Sequence, residues 1–267
     1  MEIAGYLLAS LVGISLGLIG GGGSILTVPI LVYLMGINPV LATSYSLFIV
    51  GFTSLVGAVN NYNRGFVNVR TALLFGVSSI TTVFVTRKIL MPKIPPVLYE
   101  YQGFTFTQSI ATMVLFAVLM LLASIAMIRN DDEPNQPLAK KAAFKTNVIL
   151  KLLLNGILIG LVTGLLGAGG GFLVIPALVL ILKMPMKEAV GTSLLIIALN
   201  SLIGFTGDLG HVAIDWKFLI SITLIAVAGI FLGGFLAKKI DGEKLKKTFG
   251  WFVLVMGIYI LVKEILL

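Results

Sequence analysis

The residues with the most chemistry to offer here are the ones without side chains. Gly20, Gly21, Gly22 and Gly23 stand in a row before Ser24, and an apolar run leads on to Pro29. Gly167, Gly169, Gly170 and Gly171 follow the same plan, with an apolar run leading to Pro176. A helix that begins just after such a run presents first-turn N–H groups with no intrahelical partner, together with the positive end of its dipole. Glycine lets a ligand approach the backbone closely and lets the chain take positive φ. Two such helix starts facing one cavity make an anion site that needs no buried charged side chain. These eight glycines are therefore candidate substrate-binding residues, with the Ser24 hydroxyl as a further donor. Neither run continues into Gly-Lys-Ser or Gly-Lys-Thr, so a nucleotide-binding loop is excluded. The chain has no cysteine and one histidine, which leaves thiol chemistry out and makes a metal site improbable. No cofactor is expected.

Other polar residues lie inside apolar segments. Ser44 and Ser46 belong to Thr43-Ser44-Tyr45-Ser46, and Thr192 and Ser193 follow Gly191. These hydroxyls can donate to the same anion or bond to neighbouring helices, and the sequence leaves both open. Asn200 lies in the middle of an apolar segment. It either lines a pathway or staples helices together, because an intramembrane amide is costly without a partner. Asp208, His211 and Asp215 fall in a loop, where solvation is the default reading. Asp208 and His211 are also candidates for proton coupling, since histidine alone has an ordinary pKa near neutrality. Arg87 is expected to snorkel to the membrane interface. Gly13, Gly17, Gly160 and Gly164 have the small-xxx-small spacing of helix–helix contacts.

The elements that must position these residues are membrane helices. Hydrophobic residues make up 58% of the 267, charged residues 11%, and mean hydropathy is +1.09. A soluble domain cannot bury that much apolar surface. The net charge of +8 sits in loops between apolar spans, which points to membrane topology and away from nucleic acid. Met1-Glu2 has no basic region after it, so the apolar start belongs to the first repeat, not to a signal peptide. The two glycine runs belong to two copies of one pattern at a constant offset of 147 residues, unbroken from Gly13/Gly160 to Arg70/Lys217. Each copy reads as five segments. They are about 3–19, 24–35, 41–60, 68–90 and 105–128 in the first copy, and about 146–166, 172–182, 189–206, 216–237 and 248–262 in the second. Pro29 should bend the short second segment. The polar stretch Asp131–Pro137 marks the boundary. This gives a first transmembrane repeat at 1–130, a polar linker at 131–145 and a second repeat at 146–267.

Basic residues choose between two topologies. If each glycine-broken segment crosses the bilayer, the 19 Lys and Arg divide 9 against 10. If it forms a re-entrant hairpin, each half has an odd number of crossings, the halves are inverted, and the division becomes 14 against 5. The positive-inside rule selects the hairpin. The predicted fold is therefore an all-α polytopic membrane protein. It has two inverted repeats, each with a glycine-broken re-entrant helical hairpin plus about three spanning helices. Both termini are predicted extracytoplasmic and the 131–145 linker cytoplasmic. Paired interruptions in two halves of a membrane chain point to a transport site at the midplane.

The motif Gly17-Leu-Ile-Gly-Gly-Gly-Gly-Ser24 with Pro29, repeated as Gly164-Leu-Leu-Gly-Ala-Gly-Gly-Gly171 with Pro176, resembles the TauE/SafE sulfite exporter family. Ala189-Val-Gly-Thr-Ser-Leu194 and its counterpart Ala42-Thr-Ser-Tyr-Ser-Leu47 match as well, and the resemblance covers nearly the whole chain. It implies a multi-pass permease of the bacterial inner membrane, embedded in the lipid bilayer. Its cargo would be a small inorganic or organosulfur anion such as sulfite or sulfoacetate. Because Tyr45 stands where the second copy has Thr192, the two half-sites need not be equivalent. A passive anion channel and a carrier of another small anion are the alternatives. A membrane enzyme ranks last, because no paired carboxylates or nucleophile–histidine pair lies within the apolar segments. The oligomeric state, including a homo-oligomer, is left open.

Overall fold

The structure, a computed structural model, describes residues 2–19, 21–101, 104–129, 146–167, 169–182, 184–236 and 242–266. Gly20 and the 131–145 linker lie outside the described residues. Helix α1 spans Glu2–Ile19. The short helix α2 has three contiguous parts: a tight 3-10 stretch Gly21–Leu26, an α turn Thr27–Pro29 and a wide π stretch Ile30–Leu34. The widening starts immediately after Pro29, which has no N–H to give, and the Met35 N–H reaches back to the Ile30 carbonyl (3.2 Å). Helix α3 spans Pro39–Asn63. Helix α4 spans Val69–Val85 and runs on through a π turn Thr86–Leu90 and a 3-10 turn Met91–Lys93. The second half contributes α6 (Thr146–Leu166), α7 (Gly171–Leu182), α8 (Met186–Asp208), α9 (Trp216–Leu236) and α10 (Gly242–Leu266). Helix α5 is Gln108–Arg129. An antiparallel hairpin precedes it, β1 (Val97–Tyr101) against β2 (Phe104–Thr107). The hairpin falls between the fourth and fifth apolar segments, where Val97–Tyr101 is too short a run to read as a membrane helix.

Helix starts follow the local chemistry. Pro39 fits the first turn of α3, and the Asn38 carboxamide accepts from the Val40 N–H (3.0 Å). Asn68 caps α4 by accepting from the Thr71 N–H (3.0 Å), and Asp215 caps α9 by accepting from the Phe218 N–H (3.1 Å). Asn68 and Asp215 are counterparts at the 147-residue offset, so one capping position has been filled by two residue types.

Six of the described helices are long and apolar enough to cross a membrane, and α3 and α8 are the most buried of them. The chain is thus an all-α polytopic membrane protein, in which the hairpin is the exception among the described elements. The halves exchange partners: α1 packs on α9 and α6 packs on α4, while α3 meets α8 and α5 meets α10. Two hydrophobic clusters mirror this exchange. Leu31, Ala42, Ile49, Leu219 and Ile222 sit in one; their counterparts Leu178, Ala189, Ile196, Ala72 and Phe75 sit in the other. Large apolar side chains such as Val77, Leu154, Leu158, Leu224 and Leu232 face outward, as a lipid-facing surface requires.

The helix-contact glycines are where their spacing put them. A Cβ on Gly13 or Gly17 would run into the backbone of α9 at Ala226 or Ile230, and a Cβ on Gly160 into the Ser79 carbonyl of α4 (2.6 Å). One on Gly164 would meet Thr86 (2.7 Å).

Candidate functional site

The two glycine runs take different shapes. Gly21, Gly22 and Gly23 wind directly into the 3-10 start of α2. The second run is a loop, with φ of +67° at Gly167, +67° at Gly169 and +70° at Gly170. The Gly167 N–H closes α6 on the Thr163 carbonyl (2.8 Å), and the Leu173 and Val174 N–H groups both reach the Gly170 carbonyl (3.0 Å each) to open α7. Side chains are barred twice here, by φ and by space. A Cβ on Gly167 would overlap Thr43, and one on Gly170 would overlap the Thr163 hydroxyl. One on Gly169 would lie 2.7 Å from Val50 and 3.0 Å from the Ser201 hydroxyl. The Gly21–Leu26 stretch packs against α7, and both touch α8. The starts of the two short helices therefore share one neighbourhood beside α3 and α8.

Those two central helices carry ten of the buried polar residues. Thr43, Ser44, Ser46, Thr53 and Ser54 of α3, and Thr192, Ser193, Asn200, Ser201 and Asp208 of α8, are all buried, as is Ser24. The helices run antiparallel: Ser44 bonds to Asp208, Gly51 abuts Leu202, Gly57 abuts Leu194, and Gly191 abuts Asn61. Ser44 and Ser46 consequently sit at the Asp208 end, and Thr192 and Ser193 at the other. Thr192 and Asp208 stand more than four turns apart on α8, about 24 Å along its axis. One small anion cannot touch both groups at once.

Several of these hydroxyls are already engaged. Thr192 accepts the backbone N–H of Asn68 (2.9 Å), and Ser193 donates to the Val190 carbonyl (2.8 Å). Tyr45, the counterpart of Thr192, accepts the N–H of Asp215 (2.8 Å). Different residues at the repeated position thus do one job, pinning the cap of α4 or α9. Asn200 donates to the Ser79 hydroxyl of α4 (2.6 Å), while its Oδ1 is buried with no partner among the described residues. The hydroxyls of Thr27, Ser46, Ser54, Thr163 and Ser201 are in the same state. Thr27 also lines a small cleft that is otherwise apolar, between Val12, Ile30, Leu31, Met35, Ile49 and Ile222.

Among the described residues the buried charges lie at the Asp208 end, and here two expectations are overturned. Arg87 does not snorkel; it is 1% exposed. Asp208 is not in a solvated loop; it is the last residue of α8 and 5% exposed. Arg87 Nη1 donates to Asp208 Oδ2 (3.2 Å) and to the Thr43 hydroxyl (3.0 Å), and the Ser44 hydroxyl donates to the same Asp208 oxygen (2.5 Å). A glycine allows the approach: a Cβ on Gly207 would lie 2.9 Å from Arg87 Cβ. His211 stays exposed, with its backbone N–H on the Asp208 carbonyl (3.0 Å). The signal that could have found Arg87 was in the sequence, as an arginine and an aspartate both within reach of apolar segments. An intramembrane charge implies a partner. Among the described residues no His, Cys, Asp and Glu gather as a metal site would require.

The sequence model of the family described as sulfite exporter TauE/SafE matches residues 6–260. A probable membrane transporter protein of Xylella fastidiosa strain 9a5c is 31% identical over 254 residues, covering 94% of this chain and 91% of that protein. The probable membrane transporter protein YunE of Bacillus subtilis strain 168 is 27% identical, covering 96% of this chain and 92% of YunE. A shorter match, 38% identical over 45% of this chain and 47% of the relative, is to a probable membrane transporter protein of Methanocaldococcus jannaschii. No solved structure gives a significant match.

Proposed function

From the premise that this chain belongs to the TauE/SafE sulfite exporter family of membrane transporters, we propose that it is a permease for small sulfur-containing anions such as sulfite or an organosulfonate. The observation that carries this reading is the meeting of the two glycine-led helices, with Gly21–Leu26 packed on α7 beside α3 and α8. Each helix start contributes about half a positive charge, and on α7 the N–H groups of Gly171 and Phe172 precede the first bonds of the helix, which begin at Leu173. The positive-φ glycines hold side chains out of the same space. Gly22, Gly23, Gly169, Gly170 and Gly171 are the backbone donors, and the hydroxyls of Ser24 and Ser46 line the way past them, with Asn200 tied to Ser79 of α4. The halves are inverted with respect to the membrane and each short helix is re-entrant; the antiparallel α3–α8 pair and the exchanged α1–α9 and α4–α6 contacts support that arrangement. Thr192 and Ser193, at the far end of α8, line the opposite mouth. Asp208 is the proton-coupling carboxylate, with the exposed His211 next to it at the entrance.

The test is uptake of labelled sulfite into liposomes containing the purified chain. Sulfite, thiosulfate and organosulfonates are expected to compete. Competition by an amino acid or a metal cation, and by none of these anions, would defeat the assignment. Saturable uptake that responds to a proton gradient is expected; unsaturable flux indifferent to the gradient would make the protein a channel.

A further inference from the structure

The geometry points to Arg87 as the residue that grips the transported oxyanion, through the Nε–Nη2 edge of its guanidinium. This rests on the anion-transport reading and changes it in one respect: the site is not held by neutral donors alone.

The guanidinium is divided in use. Nη1 is committed to the Thr43 hydroxyl and to Asp208. Nε and Nη2 are buried and have no partner among the described residues. These two nitrogens share one edge of the planar group, and their N–H bonds run parallel. That edge is the fork that takes two oxygens borne by one atom. A buried donor left empty is costly, more so on a charged group. Asp208 accounts for how the charge is tolerated when no anion is bound, and its bond to Nη1 fixes the plane of the fork. It leaves the paired edge unused.

Position supports the assignment. Thr43, which accepts from Arg87, is also the residue against which Gly167 is pressed. Arg87 therefore adjoins the glycine break that leads into α7. The Ser46 hydroxyl, also unpartnered, lies on α3 less than one turn beyond Thr43. The arrangement occurs once: at the 147-residue offset Arg87 corresponds to Gly234, and Asp208 to Asn61. The buried arginine–aspartate pair stands at one end of the α3–α8 pair, and the equivalent positions at the other are a glycine and an asparagine. The ligand class is an anion with at least two oxygens on one centre, such as sulfite, a sulfonate or a carboxylate, and not a halide.

Binding of sulfite, methanesulfonate and chloride to the purified full chain is measured by calorimetry and by ligand-induced change in melting temperature. Wild type is expected to bind one of the two oxyanions, with chloride a poor competitor. Arg87→Lys keeps the charge but removes the fork, and is expected to weaken oxyanion binding at least about tenfold, the loss of one charge-assisted hydrogen bond. The double variant Arg87→Gln/Asp208→Asn, which leaves no unpaired charge, is expected to lose binding; if it does not fold, Arg87→Lys decides. Wild-type affinity in Arg87→Lys, persistent binding in the double variant, or chloride competing as well as sulfite overturns the role of Arg87 and leaves anion transport standing. A wild-type chain that binds neither oxyanion overturns both.

Discussion

Arg87 and Asp208 form a deeply buried ion pair, two charges with almost no exposure. Taking one away strands the other. Asp208→Asn should therefore destabilise the protein by about 3–5 kcal/mol. Adding Arg87→Gln should recover part of that loss, giving a coupling energy of about 0.5–3 kcal/mol. A double-mutant cycle from denaturant melts in detergent measures it. Strict additivity would mean that the two groups do not share a buried site. A quieter residue-scale contact is the acceptor under each cap. Tyr45→Phe leaves the Asp215 N–H without its hydroxyl, and Thr192→Val does the same to Asn68. Each should cost about 1 kcal/mol, the net worth of a typical hydrogen bond. Similar losses from both would support equivalent jobs, and a loss from only one would contradict it.

At the scale of elements, the helix pairs α1–α9 and α4–α6 are held close by glycine. A methyl added at Gly13 would overlap the Ala226 backbone of α9, which has no rotamer with which to yield. Gly13→Ala should cost about 1–3 kcal/mol or more by forcing the helices apart. Gly234, on α9 only four residues beyond Ile230, has open space around its Cβ position. Gly234→Ala should be neutral or stabilising by up to about 1 kcal/mol. Thermal melts of the two single variants decide; equal behaviour would show that close approach does not hold the pair.

For the whole molecule the open quantity is orientation. The proposed inverted arrangement would put the 131–145 linker in the cytoplasm and both ends outside, on the 14-to-5 division of basic residues. Because the chain is free of cysteine, single cysteines can be placed at Asn135 and after Leu267 without background. In intact cells an impermeant thiol reagent should label the terminal cysteine and spare Asn135→Cys until the membrane is opened. Labelling of Asn135→Cys from outside would rule out the inverted topology. The same orientation would place Arg87, Asp208 and His211 toward the extracytoplasmic side, making the charged end of the α3–α8 pair the outer mouth.

The sequence by itself determined the class of molecule, its internal repetition, and the order and near-limits of its helices. Apolar length and a constant 147-residue offset are local properties that survive without knowledge of neighbours. It also determined the helix-contact role of Gly13, Gly17, Gly160 and Gly164, since a four-residue spacing of small residues describes one helix face. Only the tertiary structure decided partners. It paired α1 with α9 rather than with its own half, and it placed Ser44 and Thr192 at opposite ends of the central pair because α3 and α8 run antiparallel. It also turned Arg87 inward, because the carboxylate that receives it is supplied by α8, 121 residues away in the chain. An isolated arginine near a helix end has a cheaper choice, which is water; the buried position becomes tolerable only when Asp208, Thr43 and Ser44 converge on it from two other helices.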